Sequence, residues 1–285
     1  MQNLDFEYIK TFFKNNPLTL CCSFIYLLVS AIILGGKPIN WLFCIVLYAV
    51  SLGVVFSPVG ETILKIVENI RPLCTKREKE YLMPIFEEAY AEAKEHNPEL
   101  KLELCVIDQM YVNACSLGRH TIAVTKGAME TFSEDELKAI ISHEIGHIAN
   151  KDTITSLYLL VGEGFFSIVI LFVKLFVNLL EIVTYSLTRN GFLRFIASFL
   201  RFLFQIALYV FTFLINFITA ISNRGSEFRA DAYAHKLGYG QEMTDALYLL
   251  EKINLSDKST IITKLLANHP IIPLRIMQLE RLLEK

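Results

Sequence analysis

Near its centre the chain reads Ser142-His143-Glu144-Ile145-Gly146-His147. This is a His-Glu-x-x-His pattern, and on a helix the two histidines lie on one face, one turn apart. Imidazole nitrogens at that spacing can hold one Zn²⁺, and Glu144 can reach a water molecule on the metal. A carboxylate in that position can take the proton of the water and so generate a nucleophile for a peptide carbonyl.

The residues before the motif predict that it lies on a helix. Ser133 and Glu136 fit a capping box, in which Ser133 is the N-cap and the Glu136 side chain reaches back to it. Acidic residues crowd the first turn, where the helix dipole favours them. We expect a helix from about Glu134 to Asn150. A zinc site also needs a third protein ligand, which has to come from elsewhere in the chain.

Composition indicates a membrane protein. Of the 285 residues, 53% are hydrophobic, and the mean hydropathy is +0.43. These values are too apolar for an ordinary soluble domain of this length. The formal net charge of −2 gives no indication of nucleic-acid binding, so we expect no nucleic-acid partner.

Four apolar regions predict four transmembrane helices. Residues 18–34 and 39–57 carry no charge, and each run is just long enough to span the hydrocarbon. A signal peptide is the alternative for the first run. The chain lacks an A-x-A-like cleavage site there and a second span follows at once, which favours a membrane hairpin. Residues 154–185 and 192–222 form two longer apolar regions, each interrupted by a few charged or polar residues.

The charged residues inside the third region allow two interpretations. Lys174 and Glu181 are seven residues apart and can form a buried pair or a polar path, although anchors at the ends of the span are favoured. In the fourth region Arg194 and Arg201 are also seven apart, so that they share one face and can snorkel.

Basic residues predict the orientation of the first hairpin. Lys10 and Lys14 precede it, five basic residues between 65 and 79 follow it, and the turn holds Lys37. By the positive-inside rule both ends of the hairpin lie in the cytoplasm.

The stretch from about Gly60 to Asp152 predicts a soluble portion with a small sheet. Residues 78–96 form an amphipathic pattern typical of a surface helix. Strands are expected at 102–107, 113–117 and 121–125. In zinc peptidases an extended substrate often joins the exposed edge of such a sheet, although the spacing alone favours a plain strand start at Asn113-Ala114.

Two carboxylates after the fourth apolar region can complete the metal site. Glu227 and Asp231 are four residues apart on an expected helix. Glu227 can serve as the third ligand of a His₂Glu site, and Asp231 can accept the outer N–H of a ligand histidine. A solvated charged helix is the alternative, and without the His-Glu-x-x-His motif it would be favoured.

Together these motifs resemble those of the HtpX-type membrane metallopeptidases, relatives of the CAAX prenyl endopeptidases. The marks in chain order are Asn113-Ala114, His143-Glu144-x-x-His147 with Asn150 and Asp152, Glu227-Phe228-x-Ala230-Asp231, and His269-Pro270 with Arg275-Ile276. The resemblance implies one Zn²⁺ per chain, bound by His143, His147 and Glu227. It also implies that Glu144 acts as general base and acid.

The resemblance implies further site residues. Asn113 and Ala114 match the strand that binds substrate beside the active site, although Cys115 follows them where the family usually has an aromatic residue. His269 and Arg275 are expected to line the active site, where a cationic or hydrogen-bonding group can stabilise the oxyanion of the reaction. From the residues alone, a helix-capping His-Pro turn with a solvated Arg275 is favoured.

We therefore expect a mainly α membrane protein with four transmembrane helices and a cytoplasmic α+β catalytic domain of the zincin (gluzincin) type. The expected organisation is a membrane hairpin at 1–59, the first half of the peptidase domain at 60–152, a second hairpin at 153–222 and the second half at 223–285. The resemblance places such a protein in the bacterial inner membrane, with its active site in the cytoplasm.

The expected function is that of a zinc endopeptidase, with the lipid bilayer and polypeptide substrates as partners. It would cleave membrane or membrane-adjacent proteins, with a role in quality control. One alternative is a processing protease for a lipidated or membrane-bound peptide. Another is an inactive scaffold that binds membrane proteins, but a scaffold has no need of the base Glu144.

The orientation of the first hairpin can be tested with an impermeant thiol reagent on intact cells. In a cysteine-free background, a cysteine in place of Lys76 should stay unlabelled from outside, because the positive-inside rule keeps it in the cytoplasm. A cysteine in place of Lys37, in the turn of the same hairpin, is the matched control and should be labelled. Labelling at position 76 from outside would contradict the predicted orientation.

Overall fold

A computed structural model describes residues 37–55, 57–254 and 272–284, together with a few isolated positions before residue 37. Its helices are α1 (Pro38–Val55), α2 (Pro58–Val67), α3 (Lys76–His96), α4 (Lys126–Thr131), α5 (Glu134–Ala149), α6 (Thr153–Leu187), α7 (Gly191–Lys236), α8 (Gly240–Asn254) and α9 (Ile272–Leu283). Its strands are β1 (Ile70–Pro72), β2 (Glu103–Ile107), β3 (Ala114–Leu117) and β4 (Thr121–Thr125).

The chain divides into two compact units. One comprises the described residues of Val54–Tyr158 and Ala220–Lys285, and contains the sheet and helix α5. We call it the sheet unit. The other comprises Leu18–Gly53 and Leu159–Thr219, and its described residues are mostly apolar and helical. We call it the apolar unit.

The described sheet is small and mixed. Its strands lie in the order β1-β2-β4-β3, with β2 and β4 parallel and both outer pairs antiparallel. The three expected strands are confirmed to within one residue at each end. Strand β1 was not predicted, because its three residues end in a proline and its pairing with β2 depends on long-range contacts.

The core of the sheet unit lies between one face of the sheet and the helices. Val106, Ile122 and Val124 from the strands join a buried cluster with Leu82 of α3 and Ile141 of α5. Because side chains alternate along a strand, every second residue of β2 and β4 faces this cluster. Helix α5 is therefore fixed on its apolar side by α3 and the sheet.

Helix α5 begins as predicted and runs from Glu134 to Ala149. The Ser133 hydroxyl accepts the Glu136 N–H at 3.3 Å, and the Glu136 carboxylate accepts the Ser133 N–H at 2.8 Å. The capping box is thus confirmed. Helix α3 begins with a second capping box, formed by Thr75 and Glu78, two residues before its expected start.

Two segments of the described chain are long and apolar enough to cross a bilayer. They are Ile170–Leu187 in α6 and Gly191–Leu214 in α7, whereas the apolar part of α1, Pro38–Val50, is shorter. Most of the first expected span, residues 18–34, lies outside the described residues. A mostly helical protein with a small mixed sheet is therefore what the chain forms, and the number of four spans stays a prediction.

Of the two interpretations of Lys174 and Glu181, the pair, which was the less favoured one, does not form. Glu181 contacts Arg201 across the hairpin at 2.7 Å and accepts a hydrogen bond from Ser198 at 2.8 Å, while Lys174 is exposed. The antiparallel course of α6 and α7 around residues 188–190 brings these partners together. Helix α7 also continues without a break through residues 222 and 223, where the sequence suggested a boundary.

A bidentate ion pair ties the start of α3 to strand β1. Two nitrogens of Arg71 donate to the two carboxylate oxygens of Glu78, at 2.6 and 3.0 Å. The backbone N–H groups of Cys74 and Thr75 donate to the same carboxylate. These donors lower the pKa of the buried Glu78 from 4.5 to about 2, with the Arg71 hydrogen bonds as the largest cause.

Because the pKa of Glu78 is lower in the folded state, its contribution to stability should be present above pH 4.5 and lost as the pH falls towards 2. Glu78→Gln should lower the free energy of unfolding at neutral pH by on the order of 2–3 kcal/mol. Chemical denaturation at several pH values measures this difference. Glu80→Gln, in the same helix but exposed, is the control and should cost little. A Glu78→Gln deficit that does not shrink below pH 4 would contradict this account.

Candidate metal centre

Three donor atoms from two helices meet in the sheet unit. His143 Nε2 and His147 Nε2, one turn apart on α5, are 3.1 Å from each other. Glu227 of α7 lies opposite, with Oε2 at 3.6 Å from His143 Nε2 and Oε1 at 3.5 Å from His147 Nε2. Among the described residues, these three form a group that could hold a metal ion.

The donors suit zinc in kind and in spacing. Two imidazoles and one carboxylate are a common set for a catalytic zinc with one open position. Ligand atoms at about 2.0–2.1 Å from a tetrahedral ion stand roughly 3.3 Å apart. The three observed separations, 3.1, 3.5 and 3.6 Å, lie on both sides of that value. The expected ligand set is therefore brought together in a geometry that fits the ion.

A buried chain of charged groups fixes the first histidine. His143 Nδ1 lies 2.9 Å from Asp231 Oδ1, so the outer N–H donates to this carboxylate and leaves Nε2 for the metal. Arg275 of α9 donates to both oxygens of Asp231, at 2.6 and 2.8 Å. Its third nitrogen lies 2.9 Å from Glu227 Oε2. Arg275 thus connects the carboxylate ligand with the carboxylate that orients a histidine.

The second histidine faces a carboxylate that sequence reasoning left without a role. Helix α5 ends in a Schellman motif, in which Lys151 N–H donates to Ile148 and Asp152 N–H to His147. Lys151 takes the left-handed conformation that this motif needs, with φ of +64°. The turn places Asp152 Oδ2 3.8 Å from His147 Nδ1, and Arg229 of α7 holds the other oxygen at 2.7 Å.

The carboxylates shape the electrostatics of both histidines. Burial by itself would lower the pKa of His143, but hydrogen bonds to Asp231 and Glu227 outweigh it, so that the pKa is raised. Burial likewise opposes the charged form of His147, while Asp152 and Glu227 raise its pKa. A negative field that favours a proton on these nitrogens also favours a metal cation between them.

Arg275 lies at the site as expected, but its donors are engaged. Its side chain is buried and directed at Asp231 and Glu227, which is the arrangement of a residue that orients ligands. The expected role as an oxyanion donor is not visible in these contacts. His269, the other expected oxyanion donor, lies outside the described residues.

Glu144, the expected base, and the expected substrate strand are neighbours. Glu144 is buried, and its Oε2 accepts a hydrogen bond of 2.7 Å from Ser116 of β3. Asn113 immediately precedes this strand and exchanges hydrogen bonds with Thr125. In antiparallel pairing the next residue, Ala114, then directs its backbone N–H and C=O to the outer edge of the described sheet. Asn113 and Ala114 are thus placed at an edge beside the base.

Gly146 sets the distance between the two ligand helices. A Cβ atom at this position would lie 3.0 Å from the Cβ of Tyr233 and 3.1 Å from the Cα of Ala230, both on α7. Ala230 is three residues from Glu227. The small residue between the two histidines therefore allows α7 to approach closely enough for Glu227 to reach them.

Sequence reasoning missed Ser116, Asp152 and Arg229 as site residues. Asp152 is among the marks of the family resemblance, and the Asn150-Lys151 sequence at a helix end is a signal of the turn that places it. For Ser116 the signal is its position two residues beyond Ala114, on the strand face that meets α5. Arg229 carries no local signal, since its partner is 77 residues away.

Comparison with known proteins gives consistent matches. A model of the family described as "Peptidase family M48" matches residues 76–283. Protease HtpX of Pseudomonas syringae pv. tomato (strain ATCC BAA-871 / DC3000) is 29% identical in an alignment of 220 positions that covers 72% of this chain and 72% of that protein. Protease HtpX of Pseudomonas aeruginosa (strain LESB58) is 32% identical over 165 residues, which is 58% of this chain and 54% of that protein.

A solved structure shares the fold. The crystal structure of S. mikatae Ste24p matches with a TM-score of 0.55 at 22% sequence identity. The match covers 95% of this chain and 66% of that chain, so this chain spans about two thirds of the length of Ste24p.

Gly146→Ala should weaken metal binding, because the added methyl group forces α7 and its ligand Glu227 away from α5. We expect a loss of about tenfold in zinc affinity, comparable to the loss of a residue that supports a ligand. Competition with a chromophoric chelator measures it. Gly225→Ala is the control, because its Cβ would meet only Arg229, at 3.5 Å. Equal zinc affinity in the Gly146 variant and the wild type would show that this contact does not position Glu227.

Proposed function

Because the chain belongs to peptidase family M48, we propose that it is a zinc-dependent endopeptidase that cleaves membrane or membrane-adjacent proteins. Family membership and the HtpX relatives make it a membrane-associated protease. We further propose that its activity depends on zinc, that individual residues have the roles described below, and that it takes part in protein quality control.

The observation that carries the proposal is the cluster of His143, His147 and Glu227 with Glu144 beside it. The three donors fit a zinc ion in kind and spacing. Glu144 is not one of these donors, and its position next to His143 suits a base that acts on a water molecule. A purely structural zinc site would be closed by a fourth protein ligand and would need no such base.

In the proposed reaction each side chain of the site has a separate role. When bound, zinc supplies Lewis acidity, which polarises a peptide carbonyl and makes a water molecule more acidic. Glu144 takes a proton from the attacking water and later delivers it to the leaving amine. Asp231 and Arg275 hold the ligands in place during these steps. His269 is proposed to stabilise the negative charge that develops on the carbonyl oxygen.

The substrate is proposed to bind as an extended strand along β3. The outward backbone groups of Ala114 offer hydrogen bonds to such a strand, and Asn113 anchors the start of β3 on β4. A main-chain contact of this kind is tolerant of sequence, which suits a protease that acts on many unfolded proteins.

The proposed setting is a membrane with the site in the cytoplasm. Residues 1–59 and 153–222 would form two membrane hairpins, and 60–152 with 223–285 the peptidase domain. The apolar segments Ile170–Leu187 and Gly191–Leu214 support the second hairpin, and the basic residues around the first one support the orientation.

The test is proteolysis of an unfolded model protein by the purified enzyme. Activity should disappear with a chelator and return with zinc, because the ligand set fits that ion. Glu144→Gln should retain one zinc per chain and lose at least ~10² in turnover, since glutamine is nearly isosteric and cannot take the proton.

Exposed Glu80→Gln serves as the control for the same chemical change away from the site. Wild-type proteolysis by the Glu144 variant would mean that the water is activated elsewhere. Activity that persists in the fully metal-free protein would refute the zinc dependence.

A further inference from the structure

Ser116 contacts the base from the substrate strand. Its hydroxyl donates a hydrogen bond to Glu144 Oε2 at 2.7 Å. Among the described residues, no other group donates a hydrogen bond to the Glu144 side chain. A hydrogen bond to an ionised carboxylate is stronger than one between neutral groups. Glu144 is 8% exposed, so little water competes for this bond.

The fold places this hydroxyl by backbone pairing. Ser116 pairs with Ile122 in the antiparallel register of β3 and β4. Because side chains alternate, Ser116 lies on the same face as Ala114 and opposite to Cys115. Ile122 belongs to the buried core on that face, in the same cluster as Ile141 and Ile145 of α5. The register of a short strand thus determines whether a hydroxyl reaches the base.

A glutamate base needs such a contact. The terminal torsion of a glutamate side chain is broad, so a carboxylate without a partner can rotate among many orientations. With Oε2 held by Ser116, Oε1 is left to accept a proton in a fixed direction. The strand that supplies the hydroxyl is also the one on which substrate is proposed to bind. Strand β3 therefore aligns substrate and base together.

We infer that Ser116 is a positioning residue for catalysis, which holds one oxygen of Glu144 so that the other one faces the reacting water. The inference rests on the proposed peptidase function, because it gives Glu144 the role of base. Ser116 acts through Glu144, so its loss should slow the chemical step without weakening substrate binding, which uses the backbone of β3.

Steady-state kinetics of Ser116→Ala and Ser116→Thr test the inference. Ser116→Ala should lower kcat about tenfold, the size expected for one hydrogen bond to a charged group, and leave KM within about twofold. Ser116→Thr keeps the hydroxyl and suits a strand, so its kcat should stay within about threefold of the wild type. Zinc content should be equal in all proteins.

Ser142→Ala is the matched control. Ser142 is fully buried in α5, and its hydroxyl makes no hydrogen bond to the described residues. The same atoms are removed near the same helix, but no contact with Glu144 is lost. An unchanged kcat in Ser116→Ala, an equal loss in Ser142→Ala, or loss of zinc from Ser116→Ala would each overturn the inference.

A double-mutant cycle of melting temperatures (Tm), measured on the chelated protein, gives a readout that does not depend on activity. Ser116→Ala should shift Tm in the presence of Glu144 and shift it less in a Glu144→Ala background, by a difference of about 2–4 °C. Additive shifts would show that the two side chains do not interact. A wild type without chelator-sensitive proteolysis would refute the peptidase function, while this cycle would still decide whether Ser116 holds Glu144.

Discussion

The chain of contacts from Arg275 through Asp231 to His143 fixes the centre of the sheet unit. Its three groups are buried and come from three different helices, α9, α7 and α5. A buried carboxylate is costly unless charge and hydrogen bonds compensate it, and here each oxygen of Asp231 receives a donor from Arg275. Removing one partner would leave the others uncompensated. The helices are therefore held in one arrangement, which is also the arrangement that aligns the ligands.

Close packing sets how near α7 comes to α5, and charged contacts then orient the side chains between the two helices. Gly146 permits the approach of α7 to within van der Waals contact of α5, so Glu227 can face both histidines. Arg275 and Arg229 then select the orientation of the carboxylates on α7 and after α5. The Schellman turn at Lys151 and the N-terminal capping box at Ser133 define both ends of the helix between them. The arrangement of the three expected ligands depends on all of these contacts.

Local signals predicted much of this structure, and long-range contacts account for the rest. The capping box and the apolar spacing gave α5 nearly residue by residue, and alternation gave three strands. The pairing of Glu181 with Arg201 was not predicted, because seven residues along one helix say nothing about a partner on the next one. Strand β1, Asp152 and Ser116 were missed for related reasons. Strand β1 and Ser116 depend on registers that place residues far apart in sequence side by side, and Asp152 depends on the left-handed turn at Lys151 that follows α5.

The charges at the centre of the sheet unit suit a divalent cation. Glu144, Asp152, Glu227 and Asp231 are buried carboxylates, and the guanidinium groups of Arg229 and Arg275 contact the last three of them. Counted over these six residues, with neutral histidines, four carboxylates and two guanidinium groups leave two negative charges, which one Zn²⁺ would cancel. The raised pKa values of His143 and His147 reflect the same excess, because a proton is the other cation that these nitrogens can bind. Protons and metal then compete for the same lone pairs, so zinc affinity should be coupled to the protonation of both histidines.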